Sequence, residues 1–388
     1  MSALFVKLAA LFAALAFASV LRAAVPVPSP ASDGAGKPFP HAWALGIAAA
    51  LVALLTALSL ASFDLPHGDW DAWSIWNLHA RFLGQDAWWQ HAVSPLGFRS
   101  HPDYPLLLPS LVSLFGHADI IALGFAAAGA TALFIAVWRL RGLASALLAL
   151  IVWTISTGYL TQVPSQYADV PLSVLLLVSV AGLLTGDVYA CGFAAGAAAF
   201  TKNEGIVFAL AMVALAGLAI ERRQYLRLLA AAAPGLALTL WFKLAYAPPS
   251  EYAGQSFAKL LDPSRWAAIL GRLPGELANL GMGIGHPLVI LAILALGLGF
   301  STPLARPWKA AAAVIGIQLF GYLTAYLLTP NDLAWQLDTS MSRLAAQVWP
   351  SILFLFFTAL RPPELLQQLT AQGGGDAKPE RRKKKAHA

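Results

Sequence analysis

Two carboxylates and three indoles crowd into Gly68-Asp69-Trp70-Asp71-Ala72-Trp73-Ser74-Ile75-Trp76, directly after a long apolar run that ends near Ser62. Carboxylates close to a bilayer surface are costly to desolvate, and membrane proteins keep them there for function or topology. A carboxylate so placed can serve as a general base, taking the proton from an attacking hydroxyl. The competing reading is that Asp69 or Asp71 caps a helix. Capping needs only one of them, and Ser or Asn would do equally well. Trp73, Trp76 and Ala80 recur at helical spacing, so Asp71–Leu83 reads as a helix lying in the interface with its indoles towards lipid.

Four further polar segments interrupt the apolar pattern. In His101-Pro102-Asp103-Tyr104-Pro105 the prolines impose an extended turn, and Asp103 and Tyr104 are either part of that elbow or part of a site. Tyr167-Ala168-Asp169-Val170-Pro171 opens another apolar run, and Asp169 is equally placed for a cap or a site. Thr201-Lys202-Asn203-Glu204-Gly205 sets four polar residues and a glycine between two apolar segments. Asn and Gly suit a turn for backbone reasons alone; Lys202 calls for an anionic partner, either Glu204 or a ligand phosphate. Arg343, close to the last apolar run, suits bidentate phosphate binding, or else a salt bridge to Asp338 or Asp332.

The elements that must position these residues are membrane helices. Of the 388 residues, 59% are hydrophobic and only 11% charged, with a mean hydropathy of +0.67. A soluble domain carries roughly 25% charged residues. The net charge of +6 does not point to nucleic acid, because the basic residues lie in short clusters between apolar runs and in the tail. A single cysteine, Cys191, excludes an intrachain disulfide framework and a Cys-based metal cluster. No His or Cys spacing suggests a metal site, and no Walker or Rossmann glycine pattern suggests a nucleotide.

Candidate spans are Ala3–Leu21, Ala42–Ser62, Ala118–Trp138, Leu143–Leu160, Pro171–Thr185, Val188–Phe200, Ile206–Ile220, Leu228–Tyr246, Pro287–Phe300, Ala310–Leu328 and Leu344–Leu360, about eleven in all. Those within Pro171–Ile220 are short for a full crossing. The clusters Arg139–Arg141, Glu221–Arg227, Arg306–Lys309 and Arg381–Lys385 are expected to be cytoplasmic. That assignment places Phe63–His117, Thr161–Val170, Thr201–Gly205, Ala247–His286 and Thr329–Arg343 together on the opposite face, with most of the acidic and polar residues. Lys202 and Arg343 then run against the charge bias.

The expected organisation has three parts. Residues 1–41 form an extra N-terminal helix and a Pro/Ser/Gly linker. The helix resembles a signal peptide, but cleavage would leave Ala42–Ser62 entering from the wrong side. Residues 42–360 form the transmembrane domain, with 63–117 as its first outer loop, and residues 361–388 a flexible basic tail suited to anionic lipid.

GDWDAWSIWNLHARFL, HPDYPLLLP, YADVP, TKNEG and LTPNDLAWQLDTSMSRL, in this order across roughly Ala42–Leu360, resemble the GT-C membrane glycosyltransferases. The similarity is to the bacterial branch near protein O-mannosyltransferases and lipid A aminoarabinose transferases. The resemblance implies an all-α bundle with a large first periplasmic loop carrying interfacial helices. Its essential acidic position aligns with Asp71, with Asp69 as a neighbour. It further implies an inverting transfer of sugar from a polyprenyl-phosphate carrier to a glycan, lipid or protein acceptor at the periplasmic face of the bacterial inner membrane. In that setting Lys202 and Arg343 would meet the carrier phosphate, with Asp103, Tyr104, Asp169, Asn203 and Glu204 as further substrate-binding candidates. No cofactor is required, although Asp69 and Asp71 could hold a divalent ion. Gln336 stands where the pattern has His, and the residues after Leu360 do not read as the soluble domain some members carry. Two rivals are a multi-pass transporter or flippase, which would set charges at mid-membrane depth in two related halves, and a non-catalytic envelope-polysaccharide assembly protein.

Overall fold

The computed structural model describes residues 7–9, 11, 12, 15, 57–85, 87–281 and 285–363. Most of Ala3–Leu21 and Ala42–Ser62, the 26–40 linker and the basic tail lie outside the described residues. Among those described, the regular secondary structure is helical, apart from one isolated bridge between Phe300 and Leu360.

The segment ahead of the bundle contains a π-helical turn, Ala72–Trp76, that runs into α1 (Asn77–Leu83). The short helix α2 (Leu107–Phe115) packs on α1. The bundle proper follows: α3 (Ala118–Arg141), α4 (Leu143–Ile155), α5 (Asp169–Thr185), α6 (Val188–Ala199), α7 (Asn203–Ala216) and α8 (Arg222–Ala245). After an intervening segment containing α9 (Pro263–Ala278) come α10 (Pro287–Leu298), α11 (Arg306–Leu328) and α12 (Leu333–Ala359). Three of these helices, α3, α8 and α11, are long and apolar enough to cross a membrane, and α4, α5, α6, α7 and α10 are shorter apolar helices.

Helix α5 is the axis of the bundle. From Asp169 to Leu183 every residue is buried, against α3, α6 and α12. An all-round apolar helix is one enclosed by others. Neighbouring α6 reaches its place by removing side chains: Gly196 meets Gly235 of α8, where an added Cβ would stand 2.3 Å from the Gly196 backbone. Small residues let helices approach closely in a lipid setting, where backbone packing replaces the hydrophobic drive. Gly235→Ala should therefore cost roughly 1–3 kcal/mol by overpacking. The check is a melting curve of purified protein; wild-type melting would contradict the close crossing.

The two ends of the bundle differ in charge. Arg141, at the end of α3, donates to the carbonyl oxygen of Thr358, and the Trp308 indole donates to that of Leu355 at 3.1 Å. The basic ends of α3 and α11 thus meet the C-terminal end of α12. From there to Arg343 the helix rises about 22 Å at 1.5 Å per residue. The acidic motifs gather at that far end.

Three local expectations are corrected. Trp76 does not face lipid: it is fully buried and stacks on Tyr104 at 5.6 Å, while Trp70 and Trp73 are exposed. The last helix begins at Leu333 rather than Leu344 and so carries Arg343 inside it. The basic residues Arg222, Arg223, Arg227, Arg306 and Lys309 lie within the first turns of α8 and α11 rather than in loops.

Candidate functional site

The loop turn comes first. Gly68 adopts φ +71, and a Cβ there would lie 2.4 Å from the Ala72 Cβ and 2.5 Å from the Ser165 carbonyl oxygen. Only glycine fits such a left-handed, crowded position. The Asp69 amide donates to the same Ser165 oxygen at 3.1 Å. The GDWD turn is thereby pinned to the residues just before α5, and Asp71 faces the first turn of that helix.

Asp169 is the centre. It is the first residue of α5, is wholly buried, and does not cap the helix. Its Oδ1 accepts from Lys202 Nζ at 3.0 Å and from the Gln347 side-chain amide; its Oδ2 accepts from Arg343 Nε at 3.0 Å. The other side of the guanidinium, Nη1, reaches Asp71 Oδ2 at 2.7 Å, and its plane lies over the Tyr167 ring at 4.2 Å. Lys202 also pairs with Glu204 Oε1 at 3.2 Å. Burial pushes the Asp169 carboxyl up, but Lys202 and Arg343 outweigh it and hold the group well below the usual carboxylate range. Burial likewise pulls at Lys202 and Arg343, yet the carboxylates beside them hold both cations firmly charged.

Access divides these groups. The Asp71 side chain is 23% exposed and that of Arg343 15%, whereas Lys202 is 4% exposed and Asp169 fully enclosed. Helix starts suit the acids: Asp169 and Glu204 lie in the first turns of α5 and α7, where the dipole favours negative charge. A second pair stands beside the first. Lys243, at the end of α8, donates to the Asp103 carbonyl oxygen at 2.6 Å and lies 3.6 Å from its Oδ2, while Asn203 Nδ2 donates to that carboxylate at 2.8 Å. Tyr104 stacks between His101 and Trp76, with Lys202 Nζ 5.8 Å from its centroid.

Seven of the nine candidates therefore have a place in this polar centre or beside it, and two need qualification. Asp69 is exposed and its Oδ1 accepts from the adjacent Trp70 amide at 2.7 Å, away from the cations. Tyr104 meets the cluster through its ring alone. Arg343 does not pair with Asp338 or Asp332: Asp338 binds Arg272, and Asp332 caps α12 by accepting from the Trp335 amide at 2.8 Å. Gln347, Lys243 and Tyr167 were missed. A glutamine inside the last apolar run and a lysine at the end of another were visible signals; Tyr167 stood in the YADVP motif, but its spacing gave no sign that Arg343 would lie over its ring. Among the described residues no three His, Cys, Asp or Glu side chains are grouped to hold a metal ion.

Close to the centre, His79 on α1 is 1% exposed. Burial lowers its imidazole from 6.5 to about 4, His101 adds to the drop and the Ser100 backbone opposes it. The unfolded chain therefore binds the extra proton first. The stability this neutral ring confers is complete above pH 6.5 and is lost as the pH falls through about 4, a loss of about 3 kcal/mol. Melting temperature followed across that window should fall more steeply for the wild type than for His79→Leu. Equal slopes would remove His79 from the account.

Comparison with protein-family models, with curated proteins and with solved structures returns no match. The geometry alone bears on what the chain does.

Proposed function

We propose that this cluster is the active centre of an integral membrane transferase of the GT-C kind. It would move a sugar from a polyprenyl-phosphate carrier to a hydroxyl of a glycan, lipid or protein acceptor at the periplasmic face of a bacterial inner membrane. The observation that carries the reading is the shared guanidinium: Arg343 bridges a buried carboxylate, Asp169, and a partly exposed one, Asp71. The pairing puts a candidate base and a candidate phosphate ligand within one hydrogen bond of each other, at the mouth of an apolar bundle.

The residues then divide the work. The carrier phosphate exchanges with Asp71 for the outer face of Arg343, where a guanidinium offers bidentate donors. The released Asp71 carboxylate takes the acceptor's hydroxyl proton. The acceptor oxygen bonds to the anomeric carbon from the face opposite the carrier, and the bond to the phosphate breaks with its electron pair on the phosphate oxygen. Arg343 meets that growing charge. Lys202, enclosed between Asp169 and Glu204, holds the cluster together rather than touching phosphate. Asp69 is left outside the chemistry.

The charge asymmetry of the bundle favours the outward orientation, since the basic helix ends lie opposite the acidic centre. A transporter would set its charges midway along the helices, whereas here most sit at helix starts. Arg343→Gln should weaken binding of a labelled polyprenyl-phosphate sugar at least tenfold and leave acceptor binding unchanged. Equal donor affinity in the variant would remove Arg343 from the site.

A further inference from the structure

The end of the bundle opposite the acidic centre is built from helix starts that carry unpaired cations. Arg222, Arg223 and Arg227 of α8, with Arg306 and Lys309 of α11, form no ion pair among the described residues. Arg222, Arg223 and Arg306 stand at the first two positions of their helices, where the helix dipole repels a cation. Glu221, the carboxylate beside Arg222, is exposed and pairs with none of them among the described residues. Nothing in the local structure compensates these charges.

A cavity of about 260 Å³ opens at this corner. It lies between the end of α7 and the start of α11, lined by Leu215, Leu218, Ala219, Arg306, Lys309 and Ala310. The lining is open to the outside: Leu218 is 77% exposed, and Arg306 and Lys309 are exposed as well. The apolar stems of the two cations share the wall with the leucines, while their charged ends are free to reach a polar group at the rim. Arg222 and Arg223 follow three and four residues after Ala219. The Trp308 indole donates to the Leu355 carbonyl oxygen at 3.1 Å and so fixes the start of α11 to the end of α12. Indoles so placed mark the headgroup level of a bilayer.

We infer that this corner binds the headgroup of an anionic phospholipid. The phosphodiester lies against Arg306 and Lys309, and the glycerol with the first chain carbons fills the leucine-lined cavity. Basic pockets between membrane helices hold anionic headgroups in this way. Cations that serve only to orient the chain need neither a cavity nor an apolar wall beside them. A free anion would use the cations and leave Leu215 and Leu218 without a partner. The volume is below the roughly 300–1,000 Å³ of complete small-ligand sites, so it takes part of a lipid whose chains run out along the bundle. The site differs from the basic tail at Arg381–Lys385, which has the charge to meet any anionic surface. It stands at the far end from Asp71 and Arg343 and does not rest on the proposed transferase.

The test uses the full chain in maltoside micelles, with dihexanoyl phosphatidylglycerol, dihexanoyl phosphatidylcholine and inorganic phosphate as probes. The readout is the thermal midpoint against probe concentration, because a ligand of the folded state raises it. Phosphatidylglycerol should raise the midpoint, while phosphatidylcholine and phosphate at equal concentration should leave it unchanged. Arg306→Gln combined with Lys309→Gln should weaken the apparent affinity about tenfold or more. Ala310→Phe, which fills the cavity and keeps both cations, should weaken it as much even if the charge variant folds poorly. Lys384→Gln combined with Lys385→Gln removes the same charge from the tail and should leave the affinity unchanged. No stabilisation by phosphatidylglycerol, or equal stabilisation by phosphatidylcholine or phosphate, would overturn the proposal. So would wild-type affinity in either site variant, or an equal loss in the tail variant. Asp71→Asn should keep the response intact, so failure of the transferase reading and failure of this site give different results.

Discussion

An Asp71→Asn variant is expected to lose about 10²- to 10⁴-fold of the proposed transfer, the range a positioned general base contributes. Folding should survive. The Asp71–Arg343 bridge is the solvent-facing half of the cluster, and partly exposed ion pairs contribute about 1 kcal/mol or less. Donor binding should hold or tighten, because an uncharged Asn competes less well than a phosphate for the guanidinium. Turnover collapsing while the donor dissociation constant stays level or falls would be a pattern that simple misfolding does not produce. The measurement is transfer from a labelled polyprenyl-phosphate sugar beside direct donor binding. Wild-type transfer by the variant would dismiss Asp71 as the base and favour a non-catalytic assembly role.

Asp169→Asn should do its damage to the fold. Asp169 is fully enclosed and neutralises parts of two cations, Lys202 and Arg343. Removing one partner of a buried pair leaves charge uncompensated, at a cost of about 3–5 kcal/mol. The variant should express poorly or melt well below the wild type. Coupling Asp169→Asn with Lys202→Met removes the orphaned ammonium too, so the pair should lose less than the two single losses combined. Melting of the three variants in one detergent decides it. An Asp169→Asn protein with wild-type stability would mean the carboxylate is not what binds these helices at this end of the bundle.

Much of this arrangement was legible from residue types alone. Outward-face polar motifs among apolar runs nominated Asp71, Asp169, Lys202 and Arg343, and the structure joins those four in one cluster. The weighting was not legible. Asp169 looked as much like a cap as a site residue, because its partners are separated from it by 33 and 174 positions. Lys202 looked like a phosphate ligand because its enclosure is a property of packed helices, not of its neighbours in the chain. Asp69 looked like the twin of Asp71, yet it stands in the bend before the helix, where its carboxylate turns back to the Trp70 amide. The amphipathic α9 went unread within an expected loop: Gly271, Pro274 and Gly275 break the pattern of Leu270, Leu273 and Leu277, which share its exposed side.

Asp169, Lys202, Asn203 and Glu204 all stand at or beside the first residues of helices. The polar cluster hangs from the beginnings of rods whose further lengths are almost wholly apolar. New specificity can thus arise by rewriting exposed residues around Asp71, with the enclosed Asp169–Lys202 anchor and the greasy shafts left as they are.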